Sequence, residues 1–265
     1  HAKKSFAASW DGQFGSWEYQ AVMNQEKGTE VVVDWEDETS VRMSAAQLYE
    51  LVFDGNNKWM LSANGTIFTY EFEAIIPGLL KRWYEERQEM QRKMRECGDN
   101  EIEREYWDKR QLVKKINLNS LYGAILNPGC RFFDMRIGQS VTLTGRCITK
   151  HMASKVNEIV AGKYDHLGES VVYGDTDSVY FSAYKVLEKE IKEGLIPWTK
   201  DSVLGLYDKI SDEVNTSFKA FMTKAFHTPS TRGEVIAAGR ELVASKGLFI
   251  TKKRYALLYY DKEGK

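Results

Sequence analysis

No apolar stretch of this 265-residue chain approaches the roughly 18 to 20 residues that cross a bilayer as a helix. Its first residues also lack the layout of a secretory signal. These two absences lead to the expectation of a soluble, cytoplasmic protein with no membrane partner. Charge of one sign is not in excess either: 37 Lys and Arg stand against 38 Asp and Glu. No global basic field announces a nucleic-acid partner, so a phosphate-binding surface has to be local. Only three cysteines occur, Cys97, Cys130 and Cys147. An odd number, far apart and in no metal-ligand spacing, reads as free thiols without chemistry in a reducing compartment. Four prolines leave little punctuation, and there is no internal repeat, low-complexity tract or long linker. The length suits one main unit with a protruding piece.

What the chain does have centres on Tyr173-Gly174-Asp175-Thr176-Asp177-Ser178, entered by Val171-Val172 and left by Val179-Tyr180-Phe181. Two short β-branched and aromatic segments around small polar residues predict a hairpin, with Gly174 expected to supply the unusual backbone angle of the turn. If extended geometry persists, Asp175 and Asp177 share one face. Two carboxylates that close repel unless a cation joins them, and hard oxygen donors suit Mg²⁺. An ordinary Asp-rich turn has the same composition.

Residues 1–75 read as short strands and loops. Glu30 to Val33 and Ser40 to Met43 are the first strands, a short helix covers 45–53, and Ala63-Asn64-Gly65 marks a hairpin. Pro77-Gly78 opens a helix that ends at Cys97-Gly98, and a second helix runs from about Glu101 to Leu126. Together they predict a charged antiparallel helical hairpin. Lys115, Asn119 and Tyr122, at i, i+4 and i+7, put a cation, an amide and a ring on one helix face. Arg87 of the first helix is expected about five residues from the level of Lys115, an offset of roughly 8 Å. A surface lysine beside a half-buried tyrosine is the plainer account of that face. A further helix is expected over 138–161, packing under the acidic hairpin, with His151 as a surface or packing histidine rather than a ligand. Helices are also expected over 186–193 and 202–226. The last segment reads as a sheet edge whose strand carries Lys252-Lys253-Arg254, a run able to track a nucleic-acid backbone.

Taken together, Lys115-x-x-x-Asn119-Ser120-Leu121-Tyr122-Gly123, then Tyr-Gly-Asp-Thr-Asp-Ser at 173–178, then Lys252-Lys253-Arg254-Tyr255 resemble the family B DNA polymerases, above all the replicative enzymes of T-even-type bacteriophages. The resemblance implies an α+β fold: a polymerase palm with an antiparallel β-sheet backed by helices, plus a protruding helical-hairpin fingers domain. It divides the chain into a β-rich N-terminal palm portion (1–76), fingers (77–126) and the remaining palm (127–265). It assigns Asp177 as metal ligand with Asp175 as its neighbour and second candidate, and two Mg²⁺ ions. By the same resemblance Arg87, Lys115 and Asn119 hold the incoming deoxynucleoside triphosphate, and Tyr122 and Gly123 sit against the nascent base pair. Lys252, Lys253, Arg254 and Tyr255 contact primer-template DNA.

The departures are as specific as the match. The earlier family motif, an aspartate shortly before Ser-Leu-Tyr-Pro-Ser, is not found, and Asp34, Glu36 and Asp37 lack its context. The exonuclease region is also missing. The resemblance therefore implies either a truncated product or one piece of a polymerase encoded in parts, with a complementing chain that carries both. Gln91 stands where some relatives have a second finger lysine, with Arg92 beside it as a substitute.

Overall fold

Alternation and turn chemistry explain the first strands. The structure is a computed structural model that describes residues 28–35, 37–54 and 58–262; residues 1–27 of the expected N-terminal portion, and Glu36, lie outside the described residues. In β1 (Glu30–Asp34) Val31 and Val33 point inward while Glu30, Val32 and Asp34 face out. β1 pairs antiparallel with β2 (Ser40–Ser44). Ser44 then caps α1 (Ala45–Tyr49): its hydroxyl accepts from the Gln47 amide at 3.2 Å, and Gln47 Oε1 accepts from the Ser44 amide at 2.8 Å. A π-helical turn, Glu50–Asp54, continues it. β3 (Trp59–Leu61) and β4 (Ile67–Thr69) form the hairpin expected at Asn64-Gly65, with Gly65 at φ +83°.

The chain divides into two units, His1–Ile67 with Thr142–Lys265, and Phe68–Val141. The second is built on α2 (Ile75–Glu96) and α3 (Glu101–Ile125), packed against each other as a hairpin. Gly98 supplies a left-handed residue at φ +54° in the connection, and Asn100 caps α3 by accepting from the Glu103 amide at 3.2 Å. At the far end of α3 a close approach is built around Gly138, where a Cβ would lie 1.8 Å from Leu126 Cδ2. The Tyr122 hydroxyl donates to the Gly138 carbonyl at 3.1 Å.

α4 (Met135–Ala161) begins three residues before Gly138, where the sequence places its start, and the unit boundary falls within it. In the first unit its later turns pack with α6 (Lys200–Phe226), whose apolar stripe Ile210, Val214 and Phe218 joins Val156 of α4. Phe221, Met222, Ala225 and Phe226 continue that stripe against Val31, Val33, Leu48, Val52 and Leu61. α5 (Glu188–Lys192) and α7 (Ser230–Gly233) are short connectors.

Two further antiparallel ribbons complete the first unit: β5 (Val171–Asp175) with β6 (Ser178–Phe181), and β7 (Leu242–Thr251) with β8 (Arg254–Lys262). The fold is α+β, but among the described residues the strands pair only in twos, four ribbons in all. β7 and β8 are long strands joined by a two-residue turn, with bulges absorbing the twist.

Candidate functional site

The β5–β6 hairpin forms as its composition predicts, but its backbone departs from expectation. The left-handed residue is Thr176 (φ 36°); Gly174 lies within the strand, and a Cβ there would make only ordinary contact, 3.5 Å from the Ser178 carbonyl. Thr176 tolerates that angle because the turn is held from below, where the Thr149 hydroxyl of α4 donates to its carbonyl at 2.8 Å. The change of backbone angle also ends the extended geometry. Asp175 closes β5 opposite Ser178, whereas Asp177 sits in the turn itself, so the two acids do not share a strand face. Asp175 is half-buried, and its side chain accepts from the Thr176 hydroxyl at 3.3 Å. Asp177 is exposed and has no hydrogen-bond or ion-pair partner among the described residues.

The β7–β8 ribbon brings its basic tip to the acids. Lys252 and Lys253 are not on a strand; they form the turn, with Lys253 left-handed at φ 63° and Arg254 opening β8. Lys253 Nζ lies 3.5 Å from Asp175 Oδ2, and Lys252 Nζ lies 4.0 Å from Oδ1. Both lysines are mostly exposed and the carboxylate mostly covered, at 77% and 68% against 19% of side-chain surface. The ammonium groups therefore keep donors free for another anion. Behind the tips, Tyr173 and Tyr180 pack against Phe249 and Tyr255, with ring centroids 5.3 to 5.8 Å apart. The Tyr173 hydroxyl accepts from the Lys253 amide at 2.8 Å, and the Tyr180 and Tyr255 hydroxyls share a hydrogen bond of 2.9 Å. That bond, then burial, pushes the Tyr180 hydroxyl up to about 12. A groove of about 750 Å³ runs beside the ribbons, lined among others by Asp177, Val179, Phe181, Leu242 and Phe249.

In the other unit, the face expected on α3 is present and open. Lys115 and Asn119 are exposed and make no hydrogen bond or ion pair with described residues, Gly123 is exposed, and Tyr122 is half-buried and fixed through its hydroxyl. Arg87 of α2 stands level with Gln111, whose side-chain oxygen accepts from its Nε at 3.2 Å. Gln111 precedes Lys115 by one helical turn, roughly 6 Å along the axis. Arg92 is already engaged, bonded to Glu89 at 2.6 Å and Glu96 at 2.7 Å.

As for a metal, the described residues bring no three His, Cys, Asp or Glu side chains together. The hairpin offers hard oxygen donors, Asp177 free and Asp175 shared with lysines, which suits part of a magnesium site and needs further ligands. His151 is no candidate. It is buried, stacked on Phe221 with centroids 4.0 Å apart, and bonded to the Tyr164 hydroxyl at 2.7 Å and the Ser217 hydroxyl at 2.9 Å. Burial first, then the Lys155 charge, pulls it down to about 3. No helix among the described residues is long and apolar enough to cross a membrane. Sequence reasoning missed the roles of Tyr173, Tyr180 and Phe249, whose signal is that aromatic residues flank both polar turns.

The α+β chain thus carries an acid-tipped hairpin beside a lysine-tipped one, and, in its other unit, a helical hairpin bearing an open Lys-Asn-Tyr face. Comparison with known proteins gives the family. The model of DNA polymerase family B matches residues 29–195, more than half of the chain. The chain is 34% identical over 166 residues to the DNA-directed DNA polymerase of Escherichia phage RB69, covering 58% of this chain and 18% of that protein. It is 33% identical over 167 residues to the DNA-directed DNA polymerase of Enterobacteria phage T4, with the same coverage of 58% and 18%. To the DNA polymerase of Pyrococcus glycovorans it is 29% identical over 198 residues, 75% of this chain and 21% of that one. The chain belongs to DNA polymerase family B, and it spans about a fifth of the length of these relatives.

Proposed function

We propose that this chain is the central part of a DNA-directed DNA polymerase, adding deoxynucleotides to a primer 3′ end under template direction. Residues 1–76 and 127–265 form its palm and residues 77–126 its fingers. The observation that carries the reading is the pair of tips, with Asp177 free at the acidic turn and Lys252 and Lys253 held beside Asp175. Asp177 is the metal-binding carboxylate. Asp175 supports it and anchors the lysine turn. Two magnesium ions bound with these acids would activate the primer hydroxyl and support the departing pyrophosphate. Lys115 and Arg87 hold the triphosphate, their charges set against its phosphates, with Asn119 nearby. Tyr122 and Gly123 face the nascent base pair, and the Tyr122 bond to Gly138 fixes that ring's attitude. Lys252, Lys253, Arg254 and Tyr255 take the primer-template duplex.

The remaining metal ligand, the aspartate motif not found in this sequence, comes from another segment or chain, which also carries the exonuclease region. A second reading is favoured by the absence of any three-residue metal cluster among the described residues: the chain binds nucleotide or primer-template DNA without catalysing transfer. Primer extension with Mg²⁺, with and without a polypeptide carrying the missing motif, separates the two. Synthesis on complementation supports the first, and DNA binding without synthesis supports the second. In the complemented enzyme Asp177→Ala abolishes synthesis while primer-template binding stays within about twofold, because the carboxylate acts on the metal and not on the duplex. Full synthesis by that variant would falsify the metal assignment.

A further inference from the structure

The two tips in the first unit are joined by more than charge. The acidic turn Asp175 to Ser178 and the basic turn Thr251 to Arg254 belong to separate two-stranded ribbons, with no ladder between them among the described residues. What crosses from one to the other is two ion pairs on Asp175, four mutually packed rings, and two hydrogen bonds made by tyrosine hydroxyls. One of these bonds is unusual in kind. The Tyr173 hydroxyl, on the acidic hairpin, accepts from the main-chain amide of Lys253, the left-handed residue of the basic turn. A non-glycine residue at positive φ is disfavoured unless its surroundings hold it there. A two-lysine tip otherwise repels itself. Asp175 offsets the repulsion, and the Tyr173 hydroxyl fixes the backbone.

We propose that Tyr173, together with the Tyr180–Tyr255 hydroxyl pair, is a clasp that locks the Lys252-Lys253 turn over the acidic hairpin. Tyr173 and Tyr180 are therefore positioning residues. The consequence rests on the DNA-polymerase reading: the lysines are preset to receive consecutive phosphates of the duplex, so little ordering cost falls on binding. The raised Tyr180 hydroxyl is the expected companion of such a pair, since an ionised tyrosine can no longer donate and stands beside other rings.

The test uses the 265-residue chain and the substitution Tyr173→Phe, which keeps the ring and removes the oxygen. Hydrogen exchange at the Lys253 amide is expected to quicken about tenfold, the size of one lost hydrogen bond, with the thermal midpoint nearly unchanged. Unchanged exchange overturns the clasp. Tyr255→Phe provides the second arm: ultraviolet titration should show the Tyr180 ionisation falling from about 12 toward the ordinary value of about 10. A titration that does not move overturns the proposal as well. Primer-template binding is then measured against salt. The clasp predicts that Tyr173→Phe weakens binding severalfold at every salt concentration, that the double Lys252→Ala, Lys253→Ala variant lowers the slope of log affinity on log salt by about two, and that adding Tyr173→Phe to the double variant weakens binding no further. A wild-type chain with no salt-dependent DNA binding would sink the polymerase reading, while exchange and titration would still decide the clasp.

Discussion

α6 and α2 are similar in length and opposite in how they are held. α6 buries Val203, Ile210, Val214, Phe218, Phe221, Met222, Ala225 and Phe226, whereas α2 has no buried residue. α2 is secured instead by local and cross-hairpin charge: Arg92 with Glu89 and Glu96, Lys114 to Glu86 at 2.5 Å, and Lys93 over the Trp107 ring at 4.6 Å. Apolar burial is cooperative and resists opening, while exposed ion pairs contribute little and are screened by salt. The first unit is thus held by apolar burial and the helical hairpin by charge, so local opening costs less in the hairpin.

The contrast breaks most sharply at Phe218, which is 2% exposed between α4 and α6. Phe218→Ala should destabilise the first unit by about 3–5 kcal/mol, the transfer and cavity cost of a buried aromatic ring. Chemical denaturation read by tryptophan fluorescence measures it, and a loss as small as that from Trp83→Ala in the helical hairpin would erase the distinction drawn here.

A smaller effect, dependent on pH, sharpens the comparison. His151 titrates at about 3 when folded and from an ordinary value of 6.5 when unfolded. The unfolded chain therefore binds the extra proton first. Its contribution to stability is complete above pH 6.5 and is lost as pH falls toward 3, at about 1.4 kcal/mol per unit. By pH 5 the first unit should have lost about 2 kcal/mol, and His151→Gln should flatten that slope. Carboxylates depressed by their partners, such as Asp134 beside Arg136 and Asp165 beside the Leu167 amide and Lys163, begin to lose theirs only at more acidic pH. A wild-type midpoint that is level between pH 7 and 5 would mean His151 is solvated.

Much of this was legible before any coordinates. Asn64-Gly65, the Gly98 connection and the apolar spacing of 141–159 each encode local geometry, and local geometry is what residue order specifies. The hairpin at 173–178 was legible for the same reason, but not which residue bends it: Thr176 adopts φ 36° because Thr149, 27 positions away, holds its carbonyl. Lys252-Lys253-Arg254 read as strand because β-branched and aromatic residues surround it, yet two of the three form the turn. The Tyr173 to Lys253 bond spans 80 positions, and no periodicity encodes such a partner. His151 was legible as a surface or packing histidine and it packs, but a lone histidine on an amphipathic helix gives no sign of which ring, here Phe221, it stacks on.

The smallest effect belongs to the charges of the helical hairpin. Arg92 has well-formed partners in Glu89 and Glu96, which hold its guanidinium above the usual range, yet the side chain remains about half exposed. Water competes for each of those bonds, and three long side chains lose rotamer freedom to make them. Arg92→Ala should leave the thermal midpoint within about 2 °C of the parent. It should also leave nucleotide affinity unchanged in the complemented polymerase, since Arg92 is committed to its own helix and the proposed reading gives the triphosphate to Lys115 and Arg87. Equal loss of affinity in Arg92→Ala and Lys115→Ala, measured by nucleotide titration at fixed ionic strength, would show that Arg92 leaves its glutamates when substrate arrives. The comparison of the two units would then have to count α2's ion pairs as a reserve of substrate contacts instead of a surface support.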